Sequence, residues 1–300
     1  MIRRPPRSTR KESSAASDVY KRQEEAVAKG CKTMVIGVVN AGGVMPVTWI
    51  SKILEAINAG LNIASGMHTR LSSIKEFREA AEKNGVQLHD LRFNEKTFKT
   101  GSGLKRKGKR LLTVGTDCSV GKKYTALAIE KAMKEHGIKA SFKATGQTGV
   151  LIAENGVAID AIISDFISGA VEWLSPDNEE DHWDIIEGQG SLFHPSFAGV
   201  SLGLLHGSQP DKFIVCHEPT RSNMRGVKNK LPSISEVISK TIELGKLTNP
   251  DITCAGIALN TSNMLNSPED MKKLISDKYS IPCLDPLKDD LKDFIDMINK

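Results

Sequence analysis

Apolar and polar positions along residues 24–98 alternate in a way that predicts strands and helices in turn. The β-branched run CKTMVIGVV predicts a buried strand, and LNIASG and VQLHDLRF predict shorter ones. Residues 24–30, 48–60 and 73–85 carry apolar side chains at helical spacing and end in glycine. Strands that alternate with helices indicate a parallel sheet with right-handed crossovers. About three strands are fewer than a doubly wound domain usually has, so we expect the first βαβ unit to be missing.

From Leu111 to the C terminus, the same alternation predicts a complete α/β domain. Six apolar runs are strand candidates: residues 111–115, 141–144, 158–163, 183–187, 212–216 and 253–259. Helices are predicted at residues 121–136, 164–174, 233–245, 268–278 and 288–299. The preceding segment 99–110, KTGSGLKRKGKR, is rich in glycine and lysine and is predicted to be a solvated linker. The fold class is therefore α/β, with a partial domain at 24–98 and a full parallel-sheet domain at 111–300.

Residues 1–23 account for the whole net charge of the chain. The chain carries +5, and MIRRPPRSTRKESSAASDVYKRQ contains seven Lys/Arg against two acidic residues. The neutral remainder is a poor electrostatic partner for a polyanion, which argues against nucleic-acid binding. The tract lacks the apolar segment of a secretory signal. It resembles a translated library adapter, with a genuine disordered basic tail as the alternative.

The five cysteines are scattered and form no C-x-x-C pair, so they predict neither a zinc site nor a disulfide framework. No apolar run approaches the roughly 18 residues that a membrane-spanning helix needs. We expect a cytoplasmic homo-oligomer that acts on a small molecule and has no membrane or nucleic-acid partner.

The segment LLTVGTDCSVGKKYTALAIE, residues 111–130, predicts a strand, a glycine-bounded turn and a helix that begins with lysine. Such a turn gathers backbone N–H groups and the helix dipole around one anion site. It departs from the phosphate-binding pattern G-x-x-x-x-G-K-[ST] at Thr116 and at Lys123, which replaces the residue that holds Mg²⁺. Two adjacent lysines favour a metal-free polyphosphate or a 3′-phosphate over Mg·ATP. The predicted ligand-binding residues of this loop are Gly115, Thr116, Asp117, Gly121, Lys122, Lys123 and Thr125.

Polar residues follow three other predicted strands, and the carboxyl ends of parallel strands meet at one edge of a sheet. Glu187 ends WDIIE before the turn EGQG, Gln147 lies in KATGQTGV, and Asn260 lies in AGIALNTSN. We expect all three to line the ligand site, although a turn, a cap or a plain acidic residue is the alternative in each case.

The segment CHEPTR places His217, Glu218 and Arg221 after a further strand. His217 or Glu218 could deprotonate an amine, and Arg221 could hold a carboxylate through two parallel hydrogen bonds. No resident metal is predicted. In the first domain, the turns NAGG at 40–43 and SGMHTRL at 65–71 are candidate ligand loops, but no G-x-G-x-x-G pattern indicates NAD.

Five segments in order resemble one known family: VGTDCSVGKKYTAL, ATGQTG, AIISDFISGAVEWL, EGQGSLFHP and GIALNT. This is the D-glutamate N-acetyltransferase (DgcN-like) family, formerly catalogued as a domain of unknown function. The resemblance covers residues 31–300 and implies a Rossmann-like N-terminal domain, truncated here, followed by a P-loop NTPase-like domain. It implies acetyl transfer from acetyl-CoA, as co-substrate, to the amine of D-glutamate or a related D-amino acid. Within this family Lys123 is an ordinary residue of the loop.

Two other functions remain open. The pattern GTDxxVGK also occurs in dethiobiotin-synthetase-like enzymes, so a ligase or kinase that uses Mg²⁺, ATP and Glu187 is one alternative. A non-enzymatic nucleotide-binding regulator is the other. Under the acetyltransferase reading, we expect the loop to hold phosphates of CoA, and His217, Glu218 and Arg221 to handle the acceptor.

Overall fold

The computed structural model of the chain describes residues 23–38, 44–94, 96–265 and 267–300. These residues form two compact units that divide between Phe93 and Asn94. The tract predicted at residues 1–23, apart from its last residue, and the predicted ligand turn at 40–43 lie outside the described residues.

The first unit is a three-stranded parallel sheet with strand order β1-β2-β3. Its elements are α1 (residues 23–28), β1 (Thr33–Ile36), α2 (Val47–Asn58), β2 (Asn62–Ser65), α3 (Lys75–Asn84) and β3 (Leu88–Asp90). The three predicted strands and the helices between them are confirmed. Helix α3 ends at Gly85 with φ of 64°, a left-handed conformation that favours glycine at a helix end.

The second candidate ligand turn of this unit is held by the end of β3. The Asp90 carboxylate accepts hydrogen bonds from the backbone N–H groups of Leu71 and Ser72, at 2.6 and 3.2 Å, and from the Ser72 hydroxyl. Because these contacts lie within the protein, Asp90 acts as a cap for the turn that follows SGMHTR.

The second unit is a six-stranded, fully parallel sheet with strand order β5-β6-β4-β7-β8-β9. Its elements are β4 (Lys109–Gly115), α4 (Lys122–Glu135), β5 (Ala140–Lys143), α5 (Gln147–Ala153), α6 (Ile167–Leu174), β6 (Trp183–Ile186), α7 (Ala198–Ser208), β7 (Lys212–His217), α8 (Ile234–Gly245), β8 (Thr253–Leu259), α9 (Pro268–Tyr279), β9 (Cys283–Leu284) and α10 (Lys292–Asn299). Since β4 lies between β6 and β7, its carboxyl end is flanked by the ends of both.

Helices cover both faces of this sheet. Leu111 of β4 packs with α4 and α10 on one face, and its neighbour Leu112 packs with α6, α7 and α8 on the other. Side chains of successive strand residues point to opposite faces, so a strand buried on both sides needs a continuous apolar run. The run LLTV meets that requirement, and the strand predicted at residues 111–115 is confirmed.

The strand predicted at residues 158–163 is wrong. Residues Ile159–Ala161 form a short 3₁₀ turn, and the sixth strand is the two-residue β9 instead. The backbone N–H groups of Val157 and Ile159 donate to the carbonyls of Ala144 and Thr145, so this run is anchored to the loop after β5 and not to a strand. A short buried apolar run does not by itself distinguish the two outcomes.

Helix α7 was not predicted, because glycines interrupt its sequence AGVSLGLLHGS. The same glycines let it pack closely on α6. A Cβ atom on Gly207 would lie 2.5 Å from the carbonyl oxygen of Ser168, and one on Gly203 would lie 2.7 Å from a methyl group of Ile167. Tertiary packing therefore outweighs the low helix propensity of glycine here.

The segment predicted as a linker at 99–110 is exposed along most of its length, but it is also hydrogen-bonded to the second unit. The backbone N–H groups of Ser102 and Gly103 donate to the Glu172 carboxylate at 2.8–2.9 Å. The Arg106 guanidinium donates to carbonyls at the ends of α6 and α7, where a cation is favoured. Composition alone predicted a solvated segment, because these hydrogen-bond acceptors belong to elements that are distant in sequence and leave no local signal.

Among the described residues, no helix combines the length and hydropathy needed to cross a bilayer.

Candidate active site

The loop between β4 and α4, residues 115–121, curls around one point at the carboxyl edge of the sheet. Ser119 and Gly121 have positive φ values of 55° and 110°. Residues in this conformation turn successive backbone N–H groups toward the same side, which forms an anion-binding nest. Lys122 begins α4, and its Nζ donates to the carbonyl of Asp117 at 2.7 Å, across the loop. Burial lowers the pKa of Lys122, so an anion bound nearby would stabilise its charged form.

The departure at Thr116 from the usual glycine pattern has a structural reason on each side of it. A Cβ atom on Gly115 would lie 2.8 Å from the Val120 side chain, so glycine is needed one position earlier than the pattern places it. Thr116 is fully buried, and its Oγ1 lies 3.0 Å from Nδ1 of His217. The residue that replaces glycine therefore links the loop to the end of β7.

Arg221 braces the loop from the segment after β7. Its NH1 donates to Asp117 Oδ2 at 2.7 Å and to the carbonyl of Cys118 at 2.8 Å, and its NH2 donates to the carbonyl of Ser119 at 3.2 Å. Its Nε donates to Glu218 Oε2 at 3.1 Å. Asp117 is fully buried, and a buried carboxylate needs such a partner.

A second arginine lies over the same loop. The backbone N–H of Arg225 donates to Asp117 Oδ2 at 2.7 Å, and its carbonyl accepts from His194 Nε2 at 3.1 Å. Its guanidinium NH1 donates to the Ser119 hydroxyl at 2.5 Å. Because His194 Nδ1 accepts from the backbone N–H of Ser196, the proton of this imidazole lies on Nε2.

His217 and Glu218 differ in how many of their polar atoms are hydrogen-bonded within the protein. Glu218 accepts hydrogen bonds from Thr220 and Arg221. Burial raises the pKa of Glu218, but Thr220, Arg221 and Asn263 together outweigh burial and hold the pKa below its usual value. His217 uses Nδ1 toward Thr116, and no described residue hydrogen-bonds to its Nε2. Burial lowers the pKa of His217, which favours the neutral imidazole.

Glu187, at the end of β6, holds the neighbouring loop in place. Its Oε2 accepts from the backbone N–H groups of Thr145 and Gly146, at 3.0 and 3.1 Å, just before α5 begins. Burial raises the pKa of Glu187, and these two hydrogen bonds offset part of the shift. The charge of Lys123 also acts on this carboxylate, so Glu187 belongs to the surroundings of the loop.

Gly188 is the point of closest approach between β4 and the turn after β6. A Cβ atom there would lie 1.6 Å from the carbonyl oxygen of Thr113 and 3.0 Å from Cδ of Lys122. We expect Gly188→Ala to lower the thermal midpoint and to displace the Lys122 side chain, since backbone on both sides would have to shift. Gly199→Ala is the matched control, because a Cβ atom on Gly199 meets nothing within 4 Å. Equal unfolding midpoints for the two variants by circular dichroism would contradict this packing argument.

Asp117, Cys118 and His194 bring ligand-type atoms within 4.8 Å of one another, but this set fits a divalent cation poorly. Both ring nitrogens of His194 are already hydrogen-bonded. Burial raises the pKa of the Cys118 thiol, and metal ligation requires the thiolate. The Arg221 guanidinium lies against Asp117 and adds positive charge at the same place.

The second unit also holds an apolar cavity of about 20 Å³ on the α7 and α8 side of β4, lined by Leu112, Leu205 and Thr241 among others. Thr241 Oγ1 is buried without a hydrogen-bond partner among the described residues. A space of this size suits one water molecule and is too small for a substrate.

Comparison with known proteins decides the family. Residues 97–295 match the P-loop domain of DUF1611, a domain of unknown function, and residues 8–94 match its Rossmann-like domain, DUF1611_N. The chain belongs to the DUF1611 family. The Rossmann-like match begins inside residues 1–23, the tract predicted to be a translated adapter or a disordered basic tail.

Three relatives of this DUF1611 chain support the assignment. A Pseudoalteromonas protein named D-glutamate N-acetyltransferase is 54% identical over 267 residues, or 88% of this chain and 80% of the relative. A protein of the same name from Tritonibacter scottomollicae is 46% identical over 268 residues, with the same two shares. The crystal structure of a DUF1611 family protein from Anabaena variabilis ATCC 29413 is 30% identical, with a TM-score of 0.85 over 92% of this chain and 82% of that one. The family resemblance and the two-domain α/β fold are confirmed.

The DUF1611 chain brings most of the predicted site residues to one edge of the sheet. Asn260 lies beside Gly121, its N–H donates to the carbonyl of His217 at 2.8 Å, and its Oδ1 caps the following turn by accepting from Ser262. Gln147 is the first residue of α5, directly after the loop that Glu187 holds. Which of these residues contact ligand stays a prediction.

Two of the side chains predicted to contact ligand already contact the protein itself. The Thr125 hydroxyl lies in the interior against Cys216 Sγ at 3.5 Å, because position 125 is on the buried side of α4. Arg221 was expected to hold a substrate carboxylate, but its guanidinium binds Asp117, Glu218 and carbonyls of the loop.

Sequence reasoning assigned no role to Arg225 or to the buried His194. The available signal was weak. A second arginine follows Arg221 by four residues in RSNMRG, and a histidine follows the glycine-rich turn in EGQGSLFHP. Their contacts with Asp117 span 108 and 77 positions of sequence, and no local pattern reports a contact of that kind.

Proposed function

We propose that this chain is an N-acetyltransferase that moves the acetyl group of acetyl-CoA to the amine of D-glutamate or a related D-amino acid. Two relatives that share about half of its residues carry the name D-glutamate N-acetyltransferase. The observation that carries the proposal is the position of His217, whose imidazole is fixed to the anion-binding loop through Thr116 and whose Nε2 is unoccupied by any described residue.

His217 suits the role of general base. An amine attacks a thioester only after it loses its proton, and a neutral imidazole within hydrogen-bond reach can accept that proton. In the proposed reaction, the amine nitrogen bonds to the acetyl carbon, the carbon–sulfur bond breaks, and CoA leaves as a thiolate that takes up a proton. His217 Nε2 accepts the proton that the amine releases.

Glu218 is less suited to this role, although the sequence left it open. Hydrogen bonds from Thr220 and Arg221 stabilise its ionised form and hold its pKa below the usual value. A carboxylate so stabilised is a weak base. We propose that Glu218 fixes Arg221, which in turn fixes the loop, while His217 moves the proton.

Acetyl-CoA is the proposed donor because acetyl transfer needs no metal, and the loop offers backbone N–H groups and two lysines to an anionic group that lies close to the base. Thr125, the nearest hydroxyl in the helix, points into the core, and the carboxylate of Glu187 accepts from two backbone N–H groups. These placements favour acetyl transfer over the alternative that depends on Mg²⁺ and ATP.

The free cysteines of the described residues suit the predicted cytoplasmic setting, and a homo-oligomer stays a prediction.

Removal of divalent metal should leave the reaction rate unchanged within about twofold, because no proposed step uses a metal. The measurement is the initial rate of acetyl transfer before and after dialysis against EDTA. A rate that falls tenfold and returns with Mg²⁺ would contradict the proposal and favour the ligase or kinase.

The proposal as a whole is tested by incubating the purified chain with acetyl-CoA and a panel of D- and L-amino acids, followed by mass spectrometry of the products. We expect D-glutamate to gain one acetyl group faster than L-glutamate does. A panel in which no amine gains an acetyl group would overturn the proposed function.

A further inference from the structure

The acceptor named above has two carboxylates, and the residue first expected to bind one of them is occupied by the protein itself. Arg221 directs its guanidinium to Asp117, Glu218 and the loop carbonyls. A second cation beside the loop, with more of its donors unused, is therefore the better candidate for the acceptor carboxylate. Arg225 lies four residues further along, is exposed, and contacts Ser119 of the loop at residues 115–121.

The fold fixes the backbone of Arg225 with two buried polar side chains. Asp117, which is 0% exposed, accepts from its N–H, and His194, which is 1% exposed, donates to its carbonyl. Burying a carboxylate and an imidazole is costly unless each makes good hydrogen bonds. Asp117 also pairs with Arg221, and together with His194 it fixes the backbone of one exposed residue, which supports a role for that residue in binding.

The Arg225 side chain is available to a ligand. NH1 donates to the Ser119 hydroxyl at 2.5 Å, and its other guanidinium N–H groups have no hydrogen-bond partner among the described residues. A guanidinium presents its donors in a planar fork that matches a carboxylate. The hydrogen bond that NH1 donates to Ser119 orients this fork beside the nest of backbone N–H groups in the loop.

We infer that Arg225 binds a carboxylate of the acceptor amino acid, with Asp117 and His194 as its positioning residues. The inference rests on the proposed function, because it uses His217 as the base. His217 contacts Thr116, and Arg225 contacts Ser119. Thr116 and Ser119 are three positions apart on one loop, so their Cα atoms lie at most about 11 Å apart. An amino acid carries its carboxylates within a few bonds of its amine.

This assignment differs from the expectation that the loop holds phosphates of CoA. In acetyl-CoA, the long pantetheine arm separates every phosphate from the reacting thioester. An anionic group bound beside Arg225 lies close to the proposed base, His217. It therefore belongs to the substrate whose anionic group is only a few bonds from its reacting atom. The carboxylate of the acceptor meets that condition and the phosphates of the donor do not.

The test is the kinetics of Arg225→Gln in the full chain, with KM measured separately for D-glutamate and for acetyl-CoA. Loss of a charge-assisted pair should raise KM for D-glutamate about 10- to 100-fold and leave KM for acetyl-CoA within about threefold. Arg225→Lys should lie between Gln and the wild type. Lys228→Gln is the matched control, since it removes an exposed cation three residues away on the same segment and should change neither constant.

Equilibrium binding of D-glutamate by calorimetry keeps this test independent of turnover. Weaker binding to Arg225→Gln than to the wild type, at an unchanged thermal midpoint, supports the inference even if no acetylation is detected and the proposed function fails. Unchanged binding and KM for D-glutamate, or a rise in KM for acetyl-CoA alone, overturns it while the proposed function stands.

Discussion

Replacement of His217 by glutamine should lower kcat for acetyl transfer by about 10²- to 10⁴-fold, with a much smaller change in KM. Glutamine can still hydrogen-bond to Thr116 Oγ1, so the loop keeps its link to β7, but it cannot accept a proton. The loss should therefore fall on the chemical step. Steady-state kinetics with D-glutamate measures both constants.

The pH dependence of the rate gives an independent test of the role of His217. The base is active when it is neutral, and burial lowers the pKa of His217 below its ordinary value. The wild-type rate should therefore hold through neutral pH and fall only at acidic pH, below the ordinary range of an imidazole, as the ring becomes protonated. This acidic limb should disappear in His217→Gln.

His206→Gln is the matched control, because His206 lies on α7 and its Nε2 contacts the carbonyl of Leu244 on α8. It should retain the wild-type kcat and the acidic limb. A kcat for His217→Gln within twofold of the wild type would remove His217 from the reaction.

Replacement of Arg221 by alanine should destabilise the second unit by about 3–5 kcal/mol. Asp117 is fully buried, and Arg221 is the cationic side chain that donates to it at 2.7 Å. Without it, a buried carboxylate is left near Glu218 and the loop loses hydrogen bonds to two carbonyls. For a unit of this size, the thermal midpoint should fall by roughly 6–20 °C.

A double mutant separates the lost charge partner from general loss of packing. Asp117→Asn combined with Arg221→Ala removes the unpaired charge as well, so it should recover part of the stability that Arg221→Ala loses. Thermal or urea unfolding of the wild type, both single variants and the double variant gives the coupling energy. Additive effects, or a stable Arg221→Ala, would show that the pair does not brace the loop.

The parts of the site that sequence could predict are those with a local signal. The turn from β4 into α4 was recognisable because Gly115, Gly121 and Lys122 follow an apolar run. Glu187 and His217 were placed at the same edge because parallel strands bring their carboxyl ends together. These inferences needed only local pattern and topology.

The remaining features depend on contacts between distant segments. Arg221 lies 104 positions from Asp117, and nothing nearby in sequence distinguishes a loop-bracing arginine from a substrate-binding one. The apolar run at 158–163 reads as a strand until its hydrogen bonds to the loop after β5 are known. The basic segment at 99–110 reads as a linker until the ends of α6 and α7 supply its acceptors.

The most direct test of the account is a crystal structure of the chain in complex with D-glutamate and CoA. We expect the amine nitrogen to lie within about 3.2 Å of His217 Nε2, with a carboxylate paired to the guanidinium of Arg225. D-glutamate bound away from both residues, or a Mg²⁺-nucleotide held by the loop in their place, would contradict it.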